Sequence, residues 1–155
     1  MLIEGIDGPA VSLRPVRWQF PPGTGAWDDQ WLIVSGTVDL GDRTWSFEDP
    51  CLLVGEAREL ATWLHEVAAG QDGGSSLSFP EPVLGLSVTA PAGDEVVVRI
   101  RFTAEAAPPW LRDDDPHSVE HAVEVRLRAD QLRGAADAWV RELDALPGRS
   151  FASTD

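Results

Sequence analysis

From Glu95 to Glu105 the chain alternates over a full strand length, with Val96, Val98, Ile100 and Phe102 on one side and Val97, Arg99, Arg101 and Thr103 on the other. Val119 to Leu127 repeats the pattern, setting Val119, His121, Val123, Val125 and Leu127 against Glu120, Ala122, Glu124 and Arg126. The two are expected to pair antiparallel, bringing Arg99 and Arg101 opposite Glu120 and Glu124 on a wet face while the apolar sides meet a core. Upstream, Val11 to Phe20 begins as a strand, but Pro15 removes a backbone donor and the apolar set shifts from Val11 and Leu13 to Val16, Trp18 and Phe20. That shift predicts a bulge at Arg14-Pro15. Trp31 to Leu40 and Arg43 to Glu48, joined by a tight turn at Gly41-Asp42, read as a hairpin that Asp49-Pro50 ends. Shorter strands are expected around Leu77-Phe79 and Leu84-Thr89, separated by Pro80 and Pro82.

Two stretches change to a helical period. Between Gly55 and Ala69, the residues Leu53, Ala57, Leu60, Leu64 and Val67 or Ala68 form one stripe flanked by Trp63, and Gly70 is the stop. Glu56 and Glu59 lie in its opening turns, where the helix dipole favours acids, and Arg58 and His65 fall on the solvated side. Near the end of the chain, Leu132, Ala136, Trp139, Leu143 and Leu146 make a second stripe, with Asp130 as the expected cap, Asp137 and Arg141 as an i,i+4 pair, and Pro147-Gly148 as the stop. The fold class predicted is α+β, a mainly antiparallel β-sheet of about six to eight strands with two α-helices packed on one face. The 155 residues fit a single domain, 1–155, with a core over about 9–147 and a patternless, flexible tail over 148–155.

Charge narrows the partners. Against 26 Asp and Glu the chain carries 12 basic residues, all Arg and scattered, for a formal net charge of -14. Clustered cations are what hold phosphate, so nucleic acid and anionic membrane surfaces are poor ligands and a basic protein is the natural opposite. No apolar run approaches the roughly 18 residues that span a bilayer, the polar MLIEGIDGPA start does not read as a signal peptide, and the lone Cys51 makes no internal disulfide. A cytoplasmic location is expected.

Catalytic and metal chemistry find little support in the pattern. His117 and His121 have the spacing of a helical ligand pair, but on a strand positions i and i+4 are about 13 Å apart, too far for one ion. Asp113, Asp114 and Asp115 lack the alternation and the Gly of a calcium loop. Cys51 stands between an Asp-Pro turn and Leu52-Leu53 with no His near in sequence, and no GxSxG, HExxH, GxGxxG or GxxxxGK[ST] motif occurs. No metal, cofactor or catalytic residue is called for. The Trp residues say more: Trp45, Trp63 and Trp139 fit core stripes, whereas Trp27 beside Asp28-Asp29 and Trp110 before Asp113-Asp115 lie in loops. Aromatics so placed either fold back as lids on the core, the commoner outcome, or stand out as anchors for a partner.

The succession VSLRPVRWQFP, DDQWLIVSGTV, TWSFEDPCLLVGEARELATWLHEVAAG, FPEPVLGLSV, AEAAPPWLRDDD and AADAWVRELDALP resembles the WapI family of bacterial immunity proteins from about Pro9 to Pro147. FEDPCL with the following ELATWL, and APPW, are its most specific pieces. Many members place Ser or Thr where Val54 stands, so this helix has lost that cap. The resemblance implies a small cytosolic protein that binds the C-terminal toxin domain of a polymorphic or contact-dependent toxin, such as a nuclease, and blocks it without chemistry. On that reading Trp27, Asp28, Asp29, Trp110, Asp113, Asp114 and Asp115 are the expected partner-binding residues. A non-catalytic small-ligand-binding or regulatory domain is the alternative, marked by a deep apolar pocket; an enzyme would instead bring perturbed acids or a Cys-His pair together in a cleft.

Overall fold

The structure, a computed structural model, describes residues 1–71, 76–81, 83–111 and 120–149, with backbone alone at 89–92. Asp113, Asp114, Asp115 and His117 lie outside the described residues. Among the described residues, eight antiparallel strands and two α-helices make an α+β fold. Strands β1 (Leu2–Glu4), β2 (Ala10–Trp18), β3 (Trp31–Asp39) and β4 (Thr44–Leu53) form one meander, and β4 runs directly into α1 (Val54–Ala68). Strands β5 (Ser76–Ser78), β6 (Leu84–Ala92), β7 (Glu95–Thr103) and β8 (Glu120–Arg128) form a second, and β8 runs directly into α2 (Ala129–Asp144). The expected number of strands is met, but they are divided into two sheets of four.

The division is slight at one side. Beyond β1 the Ile6 N–H donates to Arg126 O of β8 at 2.8 Å, and Asp7 pairs with the Arg126 guanidinium at 2.8 Å. Gly5 permits this approach: a Cβ there would sit 2.9 Å from Pro9 O and 3.3 Å from Val125 Cγ1. At the other side Trp45 and Phe47 of β4 meet Phe102 of β7, with ring centroids 5.6 and 6.0 Å apart. The sheets therefore enclose a shared core, to which both helices contribute Leu60, Leu64, Leu132 and Trp139, each at most 1% exposed.

The β7–β8 pairing follows the alternation, with Arg99 opposite Glu124 and Arg101 reaching Glu120 at 3.7 Å. The predicted bulge in β2 is present, where Val16 is the extra residue between Pro15 and Arg17. Pro15 is buried there and Val16 only half-buried. Asp49-Pro50 does not end β4. The strand continues to Leu53, and the pairing slips between Val34↔Asp49 and Leu32↔Leu52, so Pro50 sits in a bulge where its missing N–H is not needed. Within β3, Gly36 is covered by the Phe47 ring of the neighbouring strand, and a Cβ would lie 2.2 Å from Phe47 Cζ.

The two helices pack side by side. Trp139 Nε1 donates to Ala57 O at 2.8 Å, Arg58 pairs with Asp144 at 2.8 Å, and His65 Nε2 meets Asp137 at 2.7 Å. Arg58 and His65 thus bridge the helices, and Asp137 takes His65 as its partner in place of Arg141. Both helices begin alike. The Leu53 N–H donates to Glu56 Oε2 at 2.8 Å and the Arg128 N–H to Gln131 Oε1 at 2.9 Å, the returning half of a capping box. Asp130 is not the cap of α2; it lies inside the first turn and pairs with Arg128 at 3.1 Å.

Residues on either side of the expected core are more engaged than their composition predicts. Ile3 is fully buried and Met1 is 5% exposed, so the core begins before residue 9. Past α2, Arg149 is bound to the body of the protein.

Candidate partner-binding surface

The segment between β2 and β3 is a built loop. Asp29 is its hub: its carboxylate accepts the Gly23 N–H at 3.1 Å and the Thr24 N–H at 3.0 Å, and its own N–H donates to Gly25 O at 2.8 Å. Thr24 Oγ1 donates to Pro21 O and Gln30 Nε2 to Ala26 O, each at 2.7 Å. A short 3-10 turn, Asp28–Gln30, lifts Trp27 outward, where it rests edge-on against Trp31 at 6.2 Å yet stays 61% exposed. Trp27 is therefore no lid on the core. Of the two acids beside it, Asp29 is occupied in folding the loop, and Asp28 is half-buried.

Trp110 behaves differently. It lies in a 3-10 turn, Pro109–Leu111, edge-on to the buried Trp45 at 5.5 Å, with the Arg43 guanidinium 5.0 Å from its ring centre. Trp45 is fixed from below by its Nε1 bond to Ala106 O at 2.9 Å and by His121 at 5.5 Å. At 37% exposure Trp110 is half lid and half surface, next to Leu111 at 41%. Trp27 and Trp110 are not brought together. Their supports, Trp31 and Trp45, pair with Leu53 and Val38, at opposite ends of the β3–β4 ladder. Seven residues of strand at about 3.3 Å each separate them by about 23 Å.

A third feature escaped the sequence pattern. Asp49 of β4, Glu81 before β6 and Glu105 after β7 converge near the start of α1, where Glu56 and Glu59 add to the field. None of the five forms an ion pair among the described residues. Burial, then repulsion from Glu105 and Glu81, raises Asp49 to about 6. Burial also holds the Cys51 thiol far above its ordinary range, with Asp49 adding to the shift, so it stays protonated and is a poor nucleophile. Only the Asp-Pro dipeptide hinted at this corner. Residues 49, 81 and 105 are too far apart in sequence for any local signal.

Among the described residues no group of His, Cys, Asp and Glu is arranged to hold a metal ion, and no helix is long and apolar enough to cross a membrane. A depression lined by Asp7, Pro9, Val97, Glu124 and Arg126 is open and polar, and its guanidinium is already held by Asp7.

The domain is acidic, carries exposed aromatics on hydrogen-bonded turns, and has an acidic corner with no ion pair among the described residues. The chain belongs to the immunity protein WapI-like family, whose sequence model matches residues 1–147. No curated protein and no solved structure matches it. Membership in an immunity family implies a toxin-neutralising role through binding of a cognate toxin.

Proposed function

We propose that this protein is a cytoplasmic, non-catalytic inhibitor that binds and neutralises a basic toxin domain such as a nuclease. Membership in the immunity protein WapI-like family over residues 1–147 carries the reading. Two features support it: the formal charge of -14, and the exposure of Trp27 on a loop crossed by its own hydrogen bonds. Trp27 is the anchor, Asp28 and the acids at 113–115 steer, and Asp29 holds the loop that carries the anchor. Trp110 offers a second, smaller apolar contact.

The test is kinetic, against the toxin domain encoded beside this chain's gene. Attraction between an acidic inhibitor and a basic target should lift association above the neutral range of about 10⁵–10⁶ M⁻¹s⁻¹ and make it fall steeply with salt. Replacing Asp28, Asp113, Asp114 and Asp115 with Asn should slow association, while Trp27→Ala or Trp110→Ala should mainly hasten release. Tight binding indifferent to all of these would move the interface elsewhere. Absence of binding would remove the reading. The small-ligand alternative gains no support from the depression at Asp7 and Arg126, which lacks the enclosed apolar body that ligand sites use.

A further inference from the structure

Among the described residues, Arg149 is the most buried guanidinium in an ion pair, with a side chain 9% exposed. It lies just past the stop of α2, on a segment that sequence composition leaves without a role. Its Nη1 donates to Asp29 O at 3.1 Å, its Nη2 donates to Phe20 O, and Nη1 lies 3.8 Å from the Asp29 carboxylate. The guanidinium carbon is 4.4 Å from the centre of the Trp18 ring. Trp18 in turn donates from Nε1 to Pro147 O at 2.9 Å, fixing the path of the chain that delivers Arg149.

Phe20 and Asp29 are the two legs of the loop that presents Trp27. One planar cation therefore joins both legs by their carbonyls, faces the loop's carboxylate hub and stacks on the indole at the loop's base. Desolvating a guanidinium is unfavourable unless its donors are met, and here the acceptors that meet them belong to this loop. Arg suits the position and Lys does not, because a fork can bond two carbonyls while its face lies on a ring.

We infer that Arg149 is a positioning residue that clamps the 19–30 loop in the conformation that presents Trp27 to the partner. The inference rests on the proposed toxin-binding reading for its purpose, though not for its existence. A clamped loop reaches its bound shape without the ordering cost that a loose one meets, so the clamp acts on affinity without touching the partner. The residue is a cation beside the Asp29 carboxylate, and a steering role would predict the opposite effect: removing it makes the protein more negative and should speed association with a basic target.

The test uses the full chain with Arg149→Ala and Arg149→Lys, read first by hydrogen exchange with no partner present. Amides of Gly23, Thr24 and Asp29 should exchange about tenfold faster or more in Arg149→Ala, with α1 and β7 unchanged and Arg149→Lys restoring only part of the protection. Release from the toxin domain encoded beside the gene should then quicken about tenfold, and the same substitution in a Trp27→Ala background should add little. Unchanged exchange in the loop overturns the clamp. Faster exchange throughout the molecule overturns it too, by making Arg149 a general stabilising contact. Faster loop exchange with unaltered release would show that the clamped loop is not the interface. If the wild-type chain does not bind the domain at all, the toxin reading fails, the clamp's role in binding falls with it, and loop exchange alone decides whether the clamp exists.

Discussion

Trp139 offers the sharpest test of the packing. It is fully buried at the centre of the α2 stripe, and its indole N–H donates to Ala57 O in α1 at 2.8 Å. Truncation to Ala removes the ring and the bond together and should cost about 3–5 kcal/mol. Replacement by Phe separates the two. The Ala57 carbonyl stays on the helical ladder of α1, so losing the indole donor leaves no orphaned acceptor and forfeits only the net value of one hydrogen bond, about 0.5–1.5 kcal/mol. The smaller ring adds a modest packing loss, bringing Trp139→Phe to about 1–3 kcal/mol. Urea unfolding with slopes of about 1–3 kcal/mol/M should resolve both variants from wild type as shifts in midpoint. Trp139→Ala within about 1 kcal/mol of wild type would remove Trp139 from the core's energetics. Equal losses for Ala and Phe would place the energy in the hydrogen bond and not in the packing of the ring.

The Phe47 ring lies where a side chain at position 36 would go, so Gly36→Ala should destabilise by about 1–3 kcal/mol, and Phe47→Leu in that background should recover part of the loss in urea melts. Asp49, raised from 3.8 to about 6, binds its proton more tightly in the native state than in the unfolded one, so its contribution to stability falls as pH rises from about 4 to about 6 and stays low above. Asp49→Asn should therefore match wild type near pH 3.5 and exceed it by about 1–2 kcal/mol at pH 7, after discounting for partial exposure; parallel urea titrations showing a difference flat in pH, or of the other sign, would refute this.

What could be read in advance was what repeats locally. The β7 and β8 alternation and the two apolar stripes carry their own evidence, because each side chain's face follows from its position in a regular element. Strand β1 has three residues and no period, and it is recognisable only once β2 and β8 are in place beside it. Pro50 argues against a strand by itself, and a bulge that absorbs it is a property of the β3–β4 pair. The same holds for the proposed partner-binding surface. Trp27 and Trp110 were visible as loop aromatics, but their different exposures depend on Trp31 and Trp45, and the acidic corner depends on three segments meeting in space. The half-box caps at Glu56 and Gln131 have Leu53 and Arg128 three residues earlier, where Ser, Thr, Asp or Asn would be the usual signal of a helix start.

Whether both aromatics can serve one partner is a question of size and direction. An ordinary interface covers about 800 Å² on each side, a patch about 28 Å across, which exceeds the roughly 23 Å between the supports of Trp27 and Trp110. Distance alone therefore allows a shared interface. Direction makes Trp110 the lesser contact: Trp31 alternates with the buried Leu32 and belongs to the outward side of β3, whereas Trp45 is on the coreward side of β4 and Trp110 packs on it from there. A partner touching both would have to wrap around the β4 edge. The more exposed of the two is Trp27, which also stands on the loop that Asp29 and Arg149 hold from inside. Hot spots concentrate where a rigid aromatic meets a pocket and water is excluded around it, and a ring on a pre-ordered turn meets that condition with little entropy to lose. Trp110, already spending one edge on Trp45 and lying under Arg43, has less new surface to offer. On the proposed toxin-binding reading, the greater exposure of Trp27 makes its truncation the one expected to shorten the life of the complex more than that of Trp110.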